Sequence, residues 1–194
     1  MRKIVSLIHV TLDGFAAGPN GEMDWIVYND EVEQESHAFH ARMDTAIYGR
    51  VTYDMMQGYW PTVLANPSEQ TPPALAHARW YDAATKIVFS YTMKDAPRNT
   101  VLIKDNVAEE IQRIKQQPGK DIWLLGSPSI AQLLTRLNLI DEYRLNISPI
   151  TLGRGKPYFA DPGAMRHLKL TESKTLKGGV VALRYEPERK VKTQ

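Results

Sequence analysis

Apolar runs alternate along the chain with amphipathic stretches and turn-forming clusters, and their periods predict a sheet interleaved with helices. Residues Lys3 to Val10 are rich in β-branched and apolar types, as an interior strand requires. Thr11 to Gly21, with three glycines and one proline, predicts a long loop whose apolar anchors are Phe15 and, just beyond it, Trp25. From Asn29 to Met43 a helix is expected, with Asn29 as its cap, acids in the first turn, and Val32, Phe39 and Met43 toward a core. Thr45 to Tyr48 reads as a short strand and Val51 to Gln57 as the helix behind it. Pro61, Pro67, Pro72 and Pro73 then predict loop from Gly58 to Pro73.

The alternation continues. A helix is expected over Ala74 to Ala84, strands over Thr85 to Ser90 and Thr100 to Ile103, and a helix over Asn106 to Gln117 with Val107, Ile111 and Ile114 in one stripe. Ile122 to Leu125 is a strand, followed by a helix through Leu137 with Ile130, Leu133, Leu134 and Leu137 inward. Asp141 to Ile150 is strand-like, and His167 to Thr175 with Val180 to Tyr185 flank Gly178-Gly179 as a hairpin. Such an order predicts an α/β sheet covered on both faces. No repeat or linker divides it, so one domain is expected over residues 1–187, with 188–194 a solvated tail.

Composition narrows the function classes. The 24 basic and 22 acidic side chains are spread along the chain, and the only basic cluster is at Arg189-Lys190-Val191-Lys192, which argues against a nucleic-acid partner. There is no cysteine, so disulfides and thiolate metal sites are excluded. No apolar run approaches the roughly 18 residues of a membrane span. Met1 to Ile8 resembles the start of a signal peptide, but His9 and Asp13 interrupt it and no small-residue cleavage site follows. A cytoplasmic protein with no membrane partner is the expectation.

Two segments carry the candidate chemistry. In Thr45-Ala46-Ile47-Tyr48-Gly49-Arg50-Val51-Thr52 and in Ile122-Trp123-Leu124-Leu125-Gly126-Ser127-Pro128-Ser129-Ile130, an apolar strand ends in glycine and a helix begins. Glycine lets the backbone approach a ligand, and a helix start offers unpaired N–H groups to an anion. Arg50 adds a fork suited to phosphate oxygens and Thr52 a hydroxyl. A glycine after a strand is otherwise only a turn. The dinucleotide and phosphate-loop fingerprints are missing, since Gly153-Arg154-Gly155 lacks a third glycine. Glu33, His37 and His40 share a helical face, which reads as a solvent-facing polar stripe, and no metal site is expected. No nucleophile elbow occurs.

Taken together, the first strand with Thr11-Leu12-Asp13-Gly14-Phe15-Ala16-Ala17-Gly18, Asp24-Trp25, Gly49-Arg50-Val51-Thr52-Tyr53, Lys86-Ile87-Val88-Phe89-Ser90 and Leu125-Gly126-Ser127 resembles the dihydrofolate reductase superfamily. Pro149 to Phe159, with its Leu152-Gly153-Arg154-Gly155 core, is the most specific match. The branch it looks closest to is the reductase domain of the bifunctional riboflavin-biosynthesis deaminase-reductase. The resemblance implies a three-layer fold, a twisted, mostly parallel sheet with flanking helices and a C-terminal antiparallel hairpin. It also implies NADPH as cofactor and a homodimer.

Carried over by residue, the resemblance sets Gly49, Arg50, Val51 and Thr52 on one side of the cofactor pyrophosphate and Gly126, Ser127, Ser129 and Ile130 on the other. Ser90 and Tyr91 fall at the adenosine end, with Ser90 near the 2′-phosphate, and Ala17 against the nicotinamide; closeness in sequence to Ser90, and not the resemblance, puts Lys94 or Arg98 near the same phosphate. Asp13, Phe15 and Trp25 belong to the loop that covers the substrate. Dihydrofolate reductases proper use an acid near the start of the helix after that loop. Asp30, Glu31, Glu33 and Glu35 all stand there, and Asp30 or Glu31 is expected to manage the substrate proton. No zinc pattern of the deaminase half occurs in this sequence, so that activity is not expected of it. The function expected is hydride transfer from NADPH to a small heterocyclic, carbonyl or imine substrate, the alternative being a non-catalytic NADPH-binding or sensing protein.

Overall fold

The computed structural model describes residues 1–160 and 165–188; the basic cluster and nearly all of the expected tail lie outside the described residues. Ten strands and five α-helices follow in the order β1 (Ile4–Thr11), β2 (Phe15–Ala17), α1 (Asp30–Arg42), β3 (Met43–Gly49), α2 (Arg50–Ala65), α3 (Pro72–Ala83), β4 (Thr85–Phe89), β5 (Thr100–Ile103), α4 (Val107–Gln116), β6 (Asp121–Leu125), α5 (Pro128–Arg136), β7 (Glu142–Ser148), β8 (Lys156–Pro157), β9 (Leu168–Thr175) and β10 (Val181–Pro187). Eight strands form one sheet in the order β5-β4-β3-β6-β1-β7-β10-β9, while β2 and β8 pair separately. From β5 to β7 every pairing is parallel, and β10 runs antiparallel to both β7 and β9.

Strand alternation sorts the core into two sides. Val5 and Leu7 pack with Phe39 of α1 and Trp123 of β6, and Ala46, Tyr48 and Val88 pack with Tyr53 of α2 and Tyr81 of α3. Ile4, Ile8, Ile47, Ile87 and Leu124 face the opposite way, onto Ile111 and Ile114 of α4 and Ile130 and Leu134 of α5. Helices therefore cover both faces, in three layers. Asn29 caps α1, its Oδ1 accepting from the Glu31 and Val32 amides at 3.1 and 3.2 Å.

Four elements depart from the sequence expectation. The helix α2 runs through Pro61, because Tyr53, Met56, Trp60 and Val63 form an inward stripe against β3, β4 and α3. Their burial offsets the one hydrogen bond that a proline removes. Pro72 and Pro73 open α3, with Thr71 Oγ1 accepting from the Ala74 amide at 3.3 Å; prolines suit a helix start because the first N–H groups have no partner there. Leu137, expected inward, lies one residue past the end of α5 and is 37% exposed. The long loop after β1 is broken by β2, which hydrogen-bonds with β8.

Candidate functional site

Adjacent strands β3 and β6 run in parallel with Ile47 opposite Leu124, so their ends at Gly49 and Gly126 lie side by side. The chain leaves β3 for α2 on one face and β6 for α5 on the other. A crevice opens where such connections part. Gly126 and Ser127 both hold left-handed backbone, at φ +57° and +52°. The first suits glycine; the second is unusual for serine and is held by its own side chain. The Gly49 amide donates to Ser127 Oγ at 2.8 Å, and Ser127 Oγ donates to Thr52 Oγ1 at 2.9 Å. The two turns are thus one structure.

The starts of both helices fit an anion. Neither α2 nor α5 has a side-chain cap or an acid in its first turn, whereas α1 and α4 each carry acids there. Unpaired amides and the positive dipole end remain available. A Cβ on Gly49 would lie 3.2 Å from Ile130 Cγ1, so the cradle is drawn close there, while one on Gly126 would make an ordinary contact, 3.6 Å from Thr52 Cγ2. Gly49 also pairs with Phe89, which brings Ser90 and Tyr91 out of the sheet beside α2. Ser90 is buried, its Oγ accepting from the Met93 amide at 3.0 Å, and Tyr91 is exposed.

Beside these turns lies a cleft of about 610 Å³ whose walls include Ala17, Val51, Thr52, Gly126 and Ser127. Arg50 is not part of the wall. Its Nε donates to Asp54 Oδ2 at 2.6 Å on the exposed side of α2. Ser129 is exposed on the first turn of α5, and Ile130 is buried beneath Gly49.

The loop residues divide differently from the expectation. Asp13, Phe15 and Trp25 do not line the cleft, whereas Gly21, Met23, Ile26 and Tyr28 do. The carboxylate of Asp13 accepts from the Leu152 and Gly153 amides at 3.1 and 2.7 Å. A hydrogen bond from Thr11, followed by these amides, holds it below the usual carboxylate range. Phe15 lies against Gly155, where a Cβ would come 2.3 Å from the Ala17 carbonyl. Trp25 Nε1 donates to the Glu22 carbonyl at 3.1 Å.

Asp30 and Glu31 are turned to the β9–β10 connection. Lys177 Nζ donates to Asp30 at 2.9 Å and the Lys177 amide to Glu31 at 2.8 Å. Of the four acids at the start of α1, Glu33 is the one that lines the cleft, together with Ser36 and His37 on the same helical face. The structure therefore does not bring Asp30 or Glu31 to the cleft.

Several lining residues were not anticipated. His9 and Trp123 form part of the floor, and neither His9 Nδ1 nor Trp123 Nε1 has a hydrogen-bond partner. Burial pushes the His9 imidazole down to about 4. Strand alternation with Val5 and Leu7 was the signal that could have found His9. His40 corrects the reading of a solvent-facing stripe: its Nε2 lies 3.0 Å from His77 Nδ1, and its ring stacks at 5.5 Å on Trp80. Burial, then the neighbouring imidazoles, lowers His40 to about 4 and His77 to about 3. Among the described residues no group of three or more His, Asp or Glu could hold a metal ion, and no helix is long and apolar enough to cross a membrane.

A three-layer sheet with a crevice between parallel strand ends and a cleft beneath it defines a dihydrofolate-reductase-like α/β protein. More narrowly, the chain belongs to the RibD C-terminal domain family, whose sequence profile matches residues 2–182. It is 37% identical over 184 residues to the uncharacterized protein YyaP of Bacillus subtilis, covering 95% of this chain and 94% of that one. Its fold is similar to that of a diaminohydroxyphosphoribosylaminopyrimidine deaminase/5-amino-6-(5-phosphoribosylamino)uracil reductase of Thermotoga maritima. That match has a TM-score of 0.67 at 16% identity, over 96% of this chain and 57% of the other. Dihydrofolate reductase from Enterococcus faecalis, solved with NADP(H), gives 0.63 at 11% identity, over 96% and 97%.

Proposed function

We propose that the protein is an NADPH-dependent reductase that transfers hydride to a small heterocyclic, carbonyl or imine acceptor. The observation that carries this reading is the joining of two uncapped, acid-free helix starts through Ser127 at the mouth of a single cleft. The family supports it, as do the reductase activity in the name of the Thermotoga protein and the NADP(H) of the Enterococcus complex.

In this reading the amides of Val51, Thr52 and Ser129 would hold the pyrophosphate, with Arg50 at its outer side; Pro128 has no N–H, and the Ile130 and Ala131 amides donate to the Ser127 carbonyl. Ser90 and Tyr91 would meet the adenosine end and Ala17 the nicotinamide. NADPH, when bound, supplies the hydride. The chain's own task is to orient the acceptor, exclude water and place a proton. Reduction of a C=N or C=O bond adds hydride at carbon and a proton at the heteroatom. Glu33 is the carboxylate positioned in the cleft wall to hold or relay that proton.

Tryptophan fluorescence during titration with NADPH and NADH tests the reading, because Trp60 and Trp123 line the cleft. Saturable quenching by NADPH, with NADH weaker, is the expected result. Absence of binding by either dinucleotide would overturn it.

A further inference from the structure

We propose that Asn20 is a site of spontaneous deamidation, and that the acid formed there loosens the loop at the mouth of the cleft. The chemistry concerns the chain alone; its consequence for cofactor binding rests on the reductase reading.

Seven asparagines occur in the chain, and only Asn20 is followed by glycine; the others precede Asp30, Pro67, Thr100, Val107, Leu139 and Ile147. A side chain on the following residue hinders approach of its amide nitrogen to the asparagine carboxamide, and glycine has none. Asn20 is also exposed, at the tip of a short loop in which the Gly18 amide donates to the Glu22 carbonyl at 2.9 Å. Exposed tips built of small and polar residues open readily. Gly21 holds left-handed backbone at φ +99°, which a side chain would strain. The turn that needs glycine is thus the one that leaves Asn20 open to attack.

The reaction needs only base and water. The Gly21 nitrogen gives its proton to hydroxide and attacks Asn20 Cγ. The Cγ–Nδ2 bond breaks, ammonia leaves with a proton from water, which restores the hydroxide, and a cyclic imide closes. A second water opens the imide at either carbonyl, giving aspartate or, with the main chain routed through Cγ, isoaspartate. Net, water is consumed and ammonia released. In the folded loop the Gly21 amide donates to the Gly18 carbonyl at 3.1 Å, so this contact opens before the ring closes.

The product conflicts with the contacts that shape the loop. Asn20 Nδ2 donates to Glu22 Oε1 at 2.7 Å, and the Asn20 amide donates to Glu22 Oε2 at 2.9 Å. Hydrogen bonds from its own amide, then from the Asn20 side chain, hold the Glu22 carboxyl below the usual range. An acid at position 20 removes the side-chain donor and sets a second carboxylate against Glu22, where like charges repel. Isoaspartate also adds a carbon to the main chain. The disturbance reaches the cleft directly, because Ala17, Gly21 and Met23 line it. The new charge falls beside Lys156, the one Lys or Arg among the described lining residues, whose Nζ would lie 3.6 Å from a Cβ on Gly21. Both effects oppose an anionic dinucleotide.

Ageing the protein in mildly alkaline buffer, followed by peptide mapping, tests the site. Conversion of Asn20 ahead of every other asparagine is expected, with part of the product labelled by an isoaspartate methyltransferase. Earlier conversion elsewhere, or none at Asn20, would overturn the assignment. Amide hydrogen exchange at Gly18 and Gly21 is expected to be faster in Asn20→Asp than in the unsubstituted chain, and equal exchange would show that the acid does not loosen the loop. Aged protein and Asn20→Asp are expected to bind NADPH about threefold or more weakly, while Asn20→Gln aged in parallel keeps its starting affinity, because the larger ring of glutamine closes far more slowly. Equal affinity of fresh and aged protein would refute the consequence for the cleft. If fresh protein binds no dinucleotide, it is the reductase reading that fails, and mapping and exchange still decide the site and the loosening.

Discussion

The hydroxyl of Ser127 lies 2.8 Å from the amide nitrogen of Gly49, and this contact spans 78 residues of sequence to join the two helix starts of the cleft. Because Ser127 is buried, Ser127→Ala leaves the Gly49 amide without its acceptor inside the protein. The cost is about 1–3 kcal/mol, the usual penalty for an orphaned buried donor. Urea unfolding is expected to show that loss, and NADPH titration a weaker dissociation constant. Unchanged values of both would mean that the hydroxyl does not couple the turns.

Gly155 tests the other end of the cleft. A methyl group there would sit 2.3 Å from the carbonyl oxygen of Ala17 and 3.2 Å from the Phe15 ring, and the first of these is backbone that must move. Gly155→Ala is therefore expected to part β2 from β8 and to destabilise the protein by about 2 kcal/mol, within the range for overpacking. Amide hydrogen exchange at Phe15 to Ala17 reads the local effect. Retained protection there would show that the pairing tolerates the methyl group.

These two glycine-centred contacts mark what could and could not be read in the sequence. The strands and most helices follow from periods of apolar residues, and the glycines at 49, 126, 153 and 155 stand out in the chain itself. Their partners do not. No local pattern tells that Ser127 reaches Gly49, or that Gly155 is needed for close approach to Ala17, because both are consequences of strand order. Pro61 misled for a related reason: its penalty is local, while the packing of Tyr53, Trp60 and Val63 that offsets it is tertiary. The histidines on α1 suffered the same fate, since His40 finds its partner on α3, 37 residues away.

Arg50 is already engaged with Asp54, four residues along α2 and exposed. Capture by a phosphate must compete with that pair, whose own worth at the surface is small, about 0.3–0.5 kcal/mol. Arg50→Ala is expected to weaken NADPH by about 1.5–3 kcal/mol, the range of a charge-assisted hydrogen bond. Asp54→Ala is expected to leave affinity equal or slightly improved. An Arg50→Ala variant with wild-type affinity would show that the guanidinium stays with Asp54.

Acid should destabilise this protein before its carboxylates titrate. In the folded chain His9 and His40 take protons only near pH 4 and His77 near 3, against 6.5 for an unshifted imidazole. A lowered histidine favours the neutral form when folded, so its contribution is complete above pH 6.5 and is lost as pH falls from 6.5 through those lower values. For His9 alone the difference corresponds to about 3 kcal/mol. Asp13, held below its ordinary 3.8, acts at lower pH still. Urea midpoints measured from pH 7 down to about 4 should fall steadily, and His9→Phe should flatten the slope. A flat wild-type profile over that window would contradict the burial of these rings.

The acids at the start of α1 give the sharpest separation between neighbours. Asp30 and Glu31 hold the Lys177 turn on the exposed surface, so Asp30→Asn and Glu31→Gln should lower stability only slightly and leave turnover intact. Glu33, one turn further along α1, faces the cleft with Ser36 and His37. If it handles the substrate proton, Glu33→Gln keeps the shape and removes the ionisable group, and kcat should drop by about 10²-fold or more while NADPH affinity serves as the check on folding. With an acceptor that supports NADPH oxidation, comparing the three variants decides the matter. A loss of turnover confined to Asp30→Asn or Glu31→Gln would return the role to the helix start, and would require the Lys177 contacts to open when substrate binds.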